Sequence, residues 1–283
     1  MIRFDAQQVV AAREGNRSAL DAVVRAAERP VFNLAVRMLA SRADAEDATQ
    51  EILVKIITNL GSIRDLEAAG AWAFKIACRH LVHERKRGAI EAMQLSFEGF
   101  AVDLETGLSP LSDLGLNEIE AKLAIDQVKI GCTLAMLVCL SRELRIAYIL
   151  CDIFEVTDTE AAEILEIDPA AYRQRLRRAR SAVTAFVTRS CGLVSESAPC
   201  RCQRRVGQAV RVSRIVKGQS DLQAASRGVP SLDEIRRRIG LLERGRASAA
   251  LMRSNPEFTS QIGPLAMFMA DAKSFVSNPS EKG

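Results

Sequence analysis

The sequence predicts an all-α protein with two helical modules, an acidic linker between them and a mostly helical extension. Three observations carry that prediction. Ala, Leu, Arg and Glu are abundant on both sides of the linker, and apolar residues recur at helical rather than alternating spacing. Charge is partitioned: residues 1–90 hold 14 basic and 11 acidic groups, 91–125 hold 1 and 7, 126–190 hold 9 and 9, and 191–283 hold 15 and 8, so an acidic stretch separates the modules. Residues 97–117 also contain three glycines and one proline, which reads as a connection between folded units. The expected division is a first module at 1–90, a linker at 91–118, a second module at 119–190 and an extension at 191–283.

In the first module, helices are expected over residues 19–39, 43–60 and 71–87, with Pro30 a point of distortion in the first. The second crowds Asp44, Glu46, Asp47 and Glu51 into its first half, where carboxylates suit the helix dipole. Asp47, Gln50 and Glu51 also form a polar patch suited to a basic partner. In the third, Phe74, Ala77, Cys78 and Leu81 make a core stripe, while Lys75, Arg79, His83 and Lys86 share another face beside Trp72 and Ile76. Cations able to hold a phosphate backbone are thus interleaved with an aromatic able to stack on a base, as in proteins that grip separated strands. A lone Trp packed into the core is the equal alternative. A metal site at His80 and His83 is disfavoured, because no other segment offers complementary ligands.

The second module is expected to hold helices over 119–140, 141–154, 158–165 and 169–189. Residues 157–180 read TDTEAAEILEIDPAAYRQRLRRAR, which is helix-turn-helix spacing with the turn at Glu166 and Ile167. Thr157 with Glu160 predicts a capping box, and Asp168 before Pro169 predicts the start of the second helix. Tyr172, Leu176, Ala179, Val183 and Phe186 fall on one stripe, which predicts the buried face. Arg173, Gln174, Arg177 and Arg178 are left on the opposite face, with Arg175 and Arg180 at its flanks. Clustered guanidiniums repel one another without an anion, so phosphates and base edges in a major groove are their expected partners.

Composition narrows the remaining function classes. With 48% apolar residues the chain can build sizeable cores, and a net charge of +4 points to no partner until it is resolved by segment. Two histidines leave little material for a His-based triad or a His-rich catalytic metal site. Seven scattered cysteines do not form a secreted disulfide framework. No apolar run approaches membrane-spanning length and the first residues lack a signal-peptide core, so no membrane insertion and a cytoplasmic location are expected.

In the extension, Cys191, Cys200 and Cys202 lie within twelve residues, beside Arg201, Arg204 and Arg205, cations that favour thiolate. Zinc or a redox role is one reading of this cluster. Packing cysteines are the favoured reading, because three ligands without a local His leave a tetrahedral site incomplete. No other cofactor is expected. Ser231 with Glu234 offers another capping box, Leu232, Ile235, Ile239 and Leu242 an apolar stripe, and residues 264–276 a last helix with Met267 and Phe268 available for packing.

Three ordered motifs give the chain a family resemblance. Ala45-Glu46-Asp47-Ala48-Thr49-Gln50-Glu51, then Trp72 with Ile76-Ala77-Cys78-Arg79-His80, then Arg175-Leu176-Arg177-Arg178-Ala179-Arg180 resemble the signatures of extracytoplasmic-function sigma factors of the sigma-seventy superfamily. The likeness covers about residues 18–88 and 120–187. It implies a sigma-two-like bundle that grips core RNA polymerase through Asp47, Gln50, Glu51 and Leu53. The same bundle would melt and hold the −10 promoter element with the loop carrying Arg64 and with Trp72, Lys75, Arg79, His80, His83 and Lys86. It implies a sigma-four-like helix-turn-helix that reads the −35 element through Arg173, Gln174, Arg175, Arg177, Arg178 and Arg180. The acidic linker would thread toward the polymerase active centre. Leu53 stands where Phe is common, His80 where Asn is usual, and residues 171–174 differ from the usual start of the recognition helix, so the promoter sequence does not carry over.

The expected function is promoter recognition, DNA melting and transcription initiation, without any enzymatic step. A helix-turn-helix regulator acting on duplex DNA without polymerase is the alternative, but it leaves the first module's acidic and basic helices unused. An enzyme on a helical scaffold lacks a concentrated catalytic constellation. Control by an anti-sigma factor, or by the extension clamping the modules in a closed form, is one reading; packing of the extension for its own sake is at least its equal.

Overall fold

Short polar side chains start the first helices. Asp5 accepts from the amides of Gln7 and Gln8 to cap α1 (Ala6–Arg13), Asn16 caps α2 (Arg17–Leu39) at Ala19, and Ser41 caps α3 (Arg42–Thr58) at Asp44. A 3-10 turn (Leu60–Ser62) leads to α4 (Ala69–His83). The computed structural model describes residues 2–83, 89–215, 230–240 and 244–260. Lys86 and the helix expected at 264–276 lie outside them, as does Leu242. Pro30 sits inside α2 without ending it. Helix α1, which carries too little amphipathic pattern to be read from sequence, packs across α2.

Residues 31–39 of α2 are buried on every side. A helix buried all round must be covered by more than one layer. Here α1, α3 and α4 cover α2 from the first module, and α7 and α8 from the second. The second module comprises α7 (Glu118–Val138), α8 (Arg142–Tyr148), a π-helical turn (Ile149–Ile153), α9 (Asp158–Leu165) and α10 (Pro169–Ser190). An Asn117–Glu120 capping box starts α7 and a Thr157–Glu160 box starts α9. The extension adds α11 (Cys202–Arg211), α12 (Leu232–Gly240) and α13 (Arg244–Arg253). One continuous apolar core runs from Val24 and Phe32 through Phe74 and Leu137 to Tyr172, Val183 and Met252.

The connection between the modules is itself partly helical. It contains α5 (Ala89–Ala92) and α6 (Phe97–Glu105). Phe97 and Phe100 of α6 lie against Phe186 of α10, with ring centroids 5.1 and 5.4 Å apart. Asp103 is held by Arg205 at 3.1 Å and Arg214 at 2.7 Å, so extension arginines neutralise part of the acidic stretch. The burial of Asp103 acts against ionisation, but the two guanidiniums hold its carboxyl below the ordinary value. Glycines and acids suggested a spacer; the aromatic pair at 97 and 100 anchors it instead.

At the centre, Glu91 of α5 accepts from Arg142 and, at 2.7 Å, from Arg145. Arg145 also donates to the carbonyls of Leu137 and Leu140 at 2.9 Å and to that of Met38 in α2. Burial pushes the Glu91 carboxyl up, yet the two arginines reverse this and hold it below its usual value. A buried guanidinium therefore joins α2 to the second module, with its donors satisfied.

Candidate nucleic-acid interface

The helix-turn-helix forms as its sequence dictates. Asp168 accepts from the amides of Ala170 at 2.7 Å and Ala171 at 3.2 Å, so α10 starts at Pro169, whose missing amide leaves nothing unsatisfied. Glu166 takes the left-handed conformation at φ 53° and closes α9. Tyr172, Leu176, Ala179, Val183 and Phe186 are all buried, and the Tyr172 hydroxyl donates to Ala147 at 2.9 Å. This fixes the rotation of α10, leaving Arg173, Gln174, Arg177 and Arg178 exposed and Arg175 half-buried at the flank. Two of the predicted cations are already paired within the module. Arg173 lies 3.4 Å from Asp158, and Arg180 donates to Asp152 at 2.8 Å.

A second candidate surface lies on the first module. Trp72, Ile76, Arg79, His80 and His83 of α4 line a groove of about 660 Å³ together with Lys55, Asn59 and Ser62. Sequence reasoning missed the last three. Lys55 of α3 and Asn59, its C-cap, lie one helical turn apart, a spacing that marks a shared face but not which neighbour it meets. Trp72 and Ile76 are half-buried in the groove wall, and Arg64 is exposed in the preceding loop. His80 does not project from the basic face. It is buried, its Nδ1 accepts from Lys55 Nζ at 2.6 Å, and its Nε2 stands 3.5 Å from Glu51. It therefore braces α4 against α3.

On α3, Asp47 and Glu51 are exposed and Gln50 is half-buried. Leu53 departs from expectation: it is fully buried and belongs to the core, because Thr49, Ile52, Leu53 and Ile56 turn toward α2 and α4. Lys75 and Arg79 of α4 also face more than solvent. Both reach Glu166 in the helix-turn-helix turn, at 2.6 and 2.9 Å. The Lys75 hydrogen bond and charge lower the Glu166 carboxyl below its ordinary value.

The extension cysteines line a large cavity beside α7, together with Cys132, Arg201 and Arg205. Cys191 and Cys200 form a backbone bridge, with Gly192 donating to the Cys200 carbonyl at 3.1 Å. The arginines that suggested thiolate are outweighed by burial. Burial pushes all three thiols up, Cys200 to about 11 and Cys202 to about 12, against the opposing charges of Arg201 at Cys191, Arg205 and Arg201 at Cys200, and Lys129 at Cys202. Arg201 instead spends its donors on the carbonyls of Ala198, Cys200 and Glu196. Among the described residues, no three His, Cys, Asp or Glu side chains are grouped to hold a metal ion.

An exposed basic helix on a fixed apolar stripe, with a Trp-lined groove on the first module, gives this helical fold two candidate nucleic-acid surfaces. Residues 23–89 match the family model for Sigma-70 region 2, and residues 130–183 match that for Sigma-70 region 4. The RNA polymerase sigma-H factor of Pseudomonas aeruginosa is 26% identical over 188 residues, spanning 63% of this chain and 91% of that protein. The chain thus carries Sigma-70 regions 2 and 4, the parts of an RNA polymerase sigma factor, followed by an additional helical C-terminal region. It serves transcription initiation by binding core RNA polymerase and promoter DNA, and it is not an enzyme. Among the described residues no helix is long and apolar enough to cross a membrane.

Proposed function

We propose that the two modules divide promoter opening between them. Residues 1–90 form a unit that holds core polymerase through Asp47, Gln50 and Glu51 of α3. The α4 groove receives the −10 element: Trp72 stacks on an unpaired base while Arg64, Lys75, Arg79 and His83 hold its backbone. Residues 119–190 form the −35 unit, with Arg173, Gln174, Arg177 and Arg178 in the major groove and Arg175 and Arg180 reaching phosphates. The linker at 91–118 joins them, and the extension from 191 is regulatory. The DNA-bound states of both modules belong to the cytoplasm.

The observation that best supports this reading is the partition of α10, with five apolar residues buried and four polar residues exposed on the opposite side. Phosphate contacts supply affinity, and a few base contacts supply preference. Strand separation draws only on binding free energy, since each base captured on Trp72 is one withdrawn from the duplex. The test is assembly with purified core polymerase, comparing wild type with a Gln50→Ala, Glu51→Arg double variant. Loss of assembly with unchanged binding to duplex DNA supports the assignment. Equal assembly overturns the α3 contact.

A further inference from the structure

We propose that the folded chain is an autoinhibited, closed form, in which the segment at residues 254–260 latches the two modules together and the helix-turn-helix turn engages two of the strand-binding cations, Lys75 and Arg79. The inference rests on the division of labour above, because it says that the second module engages strand-binding cations of the first and that the joined modules cannot reach both promoter elements at once.

The latch touches both modules with specific polar contacts. Toward the first, Asn33 of α2 donates to the Phe258 carbonyl at 2.8 Å and accepts from the Phe258 amide at 2.8 Å, Arg29 pairs with Glu257, and Arg42 donates to the Thr259 carbonyl at 3.2 Å. Toward the second, Lys129 donates to the Ser254 carbonyl at 3.2 Å and Asn255 donates to Thr133 at 2.8 Å, while Arg253, at the end of α13 just before the latch, pairs with Glu155 at 2.5 Å. The Arg37 guanidinium lies between the rings of Phe258 and Phe154, 4.9 and 5.5 Å from their centroids, so one cation joins α2, the second module and the latch. Burial pushes Arg37 down to about 10, against the raising effect of Glu257.

Asn33, Arg37, Lys129 and Thr133 are all buried. Polar groups in an apolar interface are costly without partners, and here the latch supplies hydrogen-bond partners to Asn33, Lys129 and Thr133 and a ring to Arg37, whose own hydrogen bonds go to Asn33. Asn33 matches both backbone groups of a single residue, a two-bond fit to an extended strand that nonspecific packing does not require.

The closed arrangement is incompatible with the proposed task. Lys75 and Arg79 are engaged by Glu166, and Phe74 of α4 packs on Phe154 with ring centroids 6.1 Å apart. Elements centred about 25 base pairs apart are separated by about 85 Å of duplex at ~3.4 Å per base pair. A compact chain of 283 residues has a radius of gyration of about 19 Å and a diameter of about 50 Å. The modules must therefore part before each reaches its element. The exposed Glu166 pairs alone contribute little, which leaves the buried latch and shared core to hold the closed form. Apparent affinity for polymerase is then reduced in proportion to the open fraction.

The test compares the full chain with Phe258→Ala, which empties the Arg37 sandwich, and with Glu257→Lys, an exposed change that repels Arg29 without disturbing the core. Small-angle scattering reads opening, and a titration with core polymerase reads availability. The inference predicts a larger radius of gyration and at least tenfold tighter polymerase binding for Phe258→Ala, with a smaller change in the same direction for Glu257→Lys. Wild-type dimensions and affinity in both variants, each with unchanged helix content, would overturn it. Variants that open while neither they nor wild type bind polymerase would leave the latch standing and sink the sigma-factor division of labour instead.

Discussion

Replacing Arg173 and Arg177 together with Ala gives the most quantitative check on the recognition helix. Both side chains are exposed on the face opposite Tyr172 and Leu176, so their removal leaves the core untouched. If each holds one phosphate, the slope of log affinity against log salt becomes shallower by about 1.8, at ~0.9 per contact. The same relation gives an affinity loss of about 60-fold at roughly 0.1 M salt, shrinking to about 12-fold at roughly 0.25 M. The two residues should not contribute equally. Arg173 must give up its 3.4 Å pairing with Asp158, an exposed bond that offsets up to about 1 kcal/mol of its gain on DNA. Arg177→Ala alone should therefore cost more than Arg173→Ala alone. Fluorescence anisotropy with promoter duplex, using Phe258→Ala as the parent chain, measures all of this across a salt series. An unchanged slope would refute α10 as the phosphate-gripping element.

Other expectations follow from the same structure. Trp72→Ala should weaken binding to a fork with an unpaired −10 strand by about 5- to 150-fold, the equivalent of about 1–3 kcal/mol of stacking, while leaving duplex binding unchanged; equal loss on both DNAs would contradict the groove assignment. Leu53→Ala should destabilise the chain by about 2–5 kcal/mol in urea melts, because the side chain is fully buried. Unchanged stability with lost polymerase binding would instead place Leu53 at the interface. Glu91→Gln should cost about 3 kcal/mol by leaving Arg142 and Arg145 without their carboxylate. The Glu91 carboxyl is lowered in the folded state, so its stabilisation is complete above the ordinary carboxylate value and fades as pH falls through the lower folded value. Denaturant melts from neutral to acid pH should show that loss in wild type and a flatter profile in the variant; parallel profiles would contradict the pairing.

Much of the fold was legible because local signals agreed with one another. The Asp168-Pro169 start, the Thr157–Glu160 box and the five-residue apolar stripe each depend on a few neighbouring positions, and all three form as read. Residues whose roles depend on distant partners were not legible. His80 shares its helix with a basic face, yet Lys55 on α3 draws it inward. Leu53 fits a surface signature but sits on the buried side of α3. The acids of the linker gave its charge correctly and its docking not at all, because Arg205 and Arg214 lie about a hundred residues further on. Asn33 and Phe258 are separated by 225 residues, and no periodicity reports such a pair.

Promoter-specific run-off transcription from genomic fragments, with core polymerase and either wild type or Phe258→Ala, bears most directly on the whole account. Discrete transcripts should appear only when this chain is added, start at fixed positions, and become more abundant with the unlatched variant. A template set that yields no chain-dependent start site with either protein, while both bind the same duplexes, would show a DNA-binding regulator that does not direct polymerase.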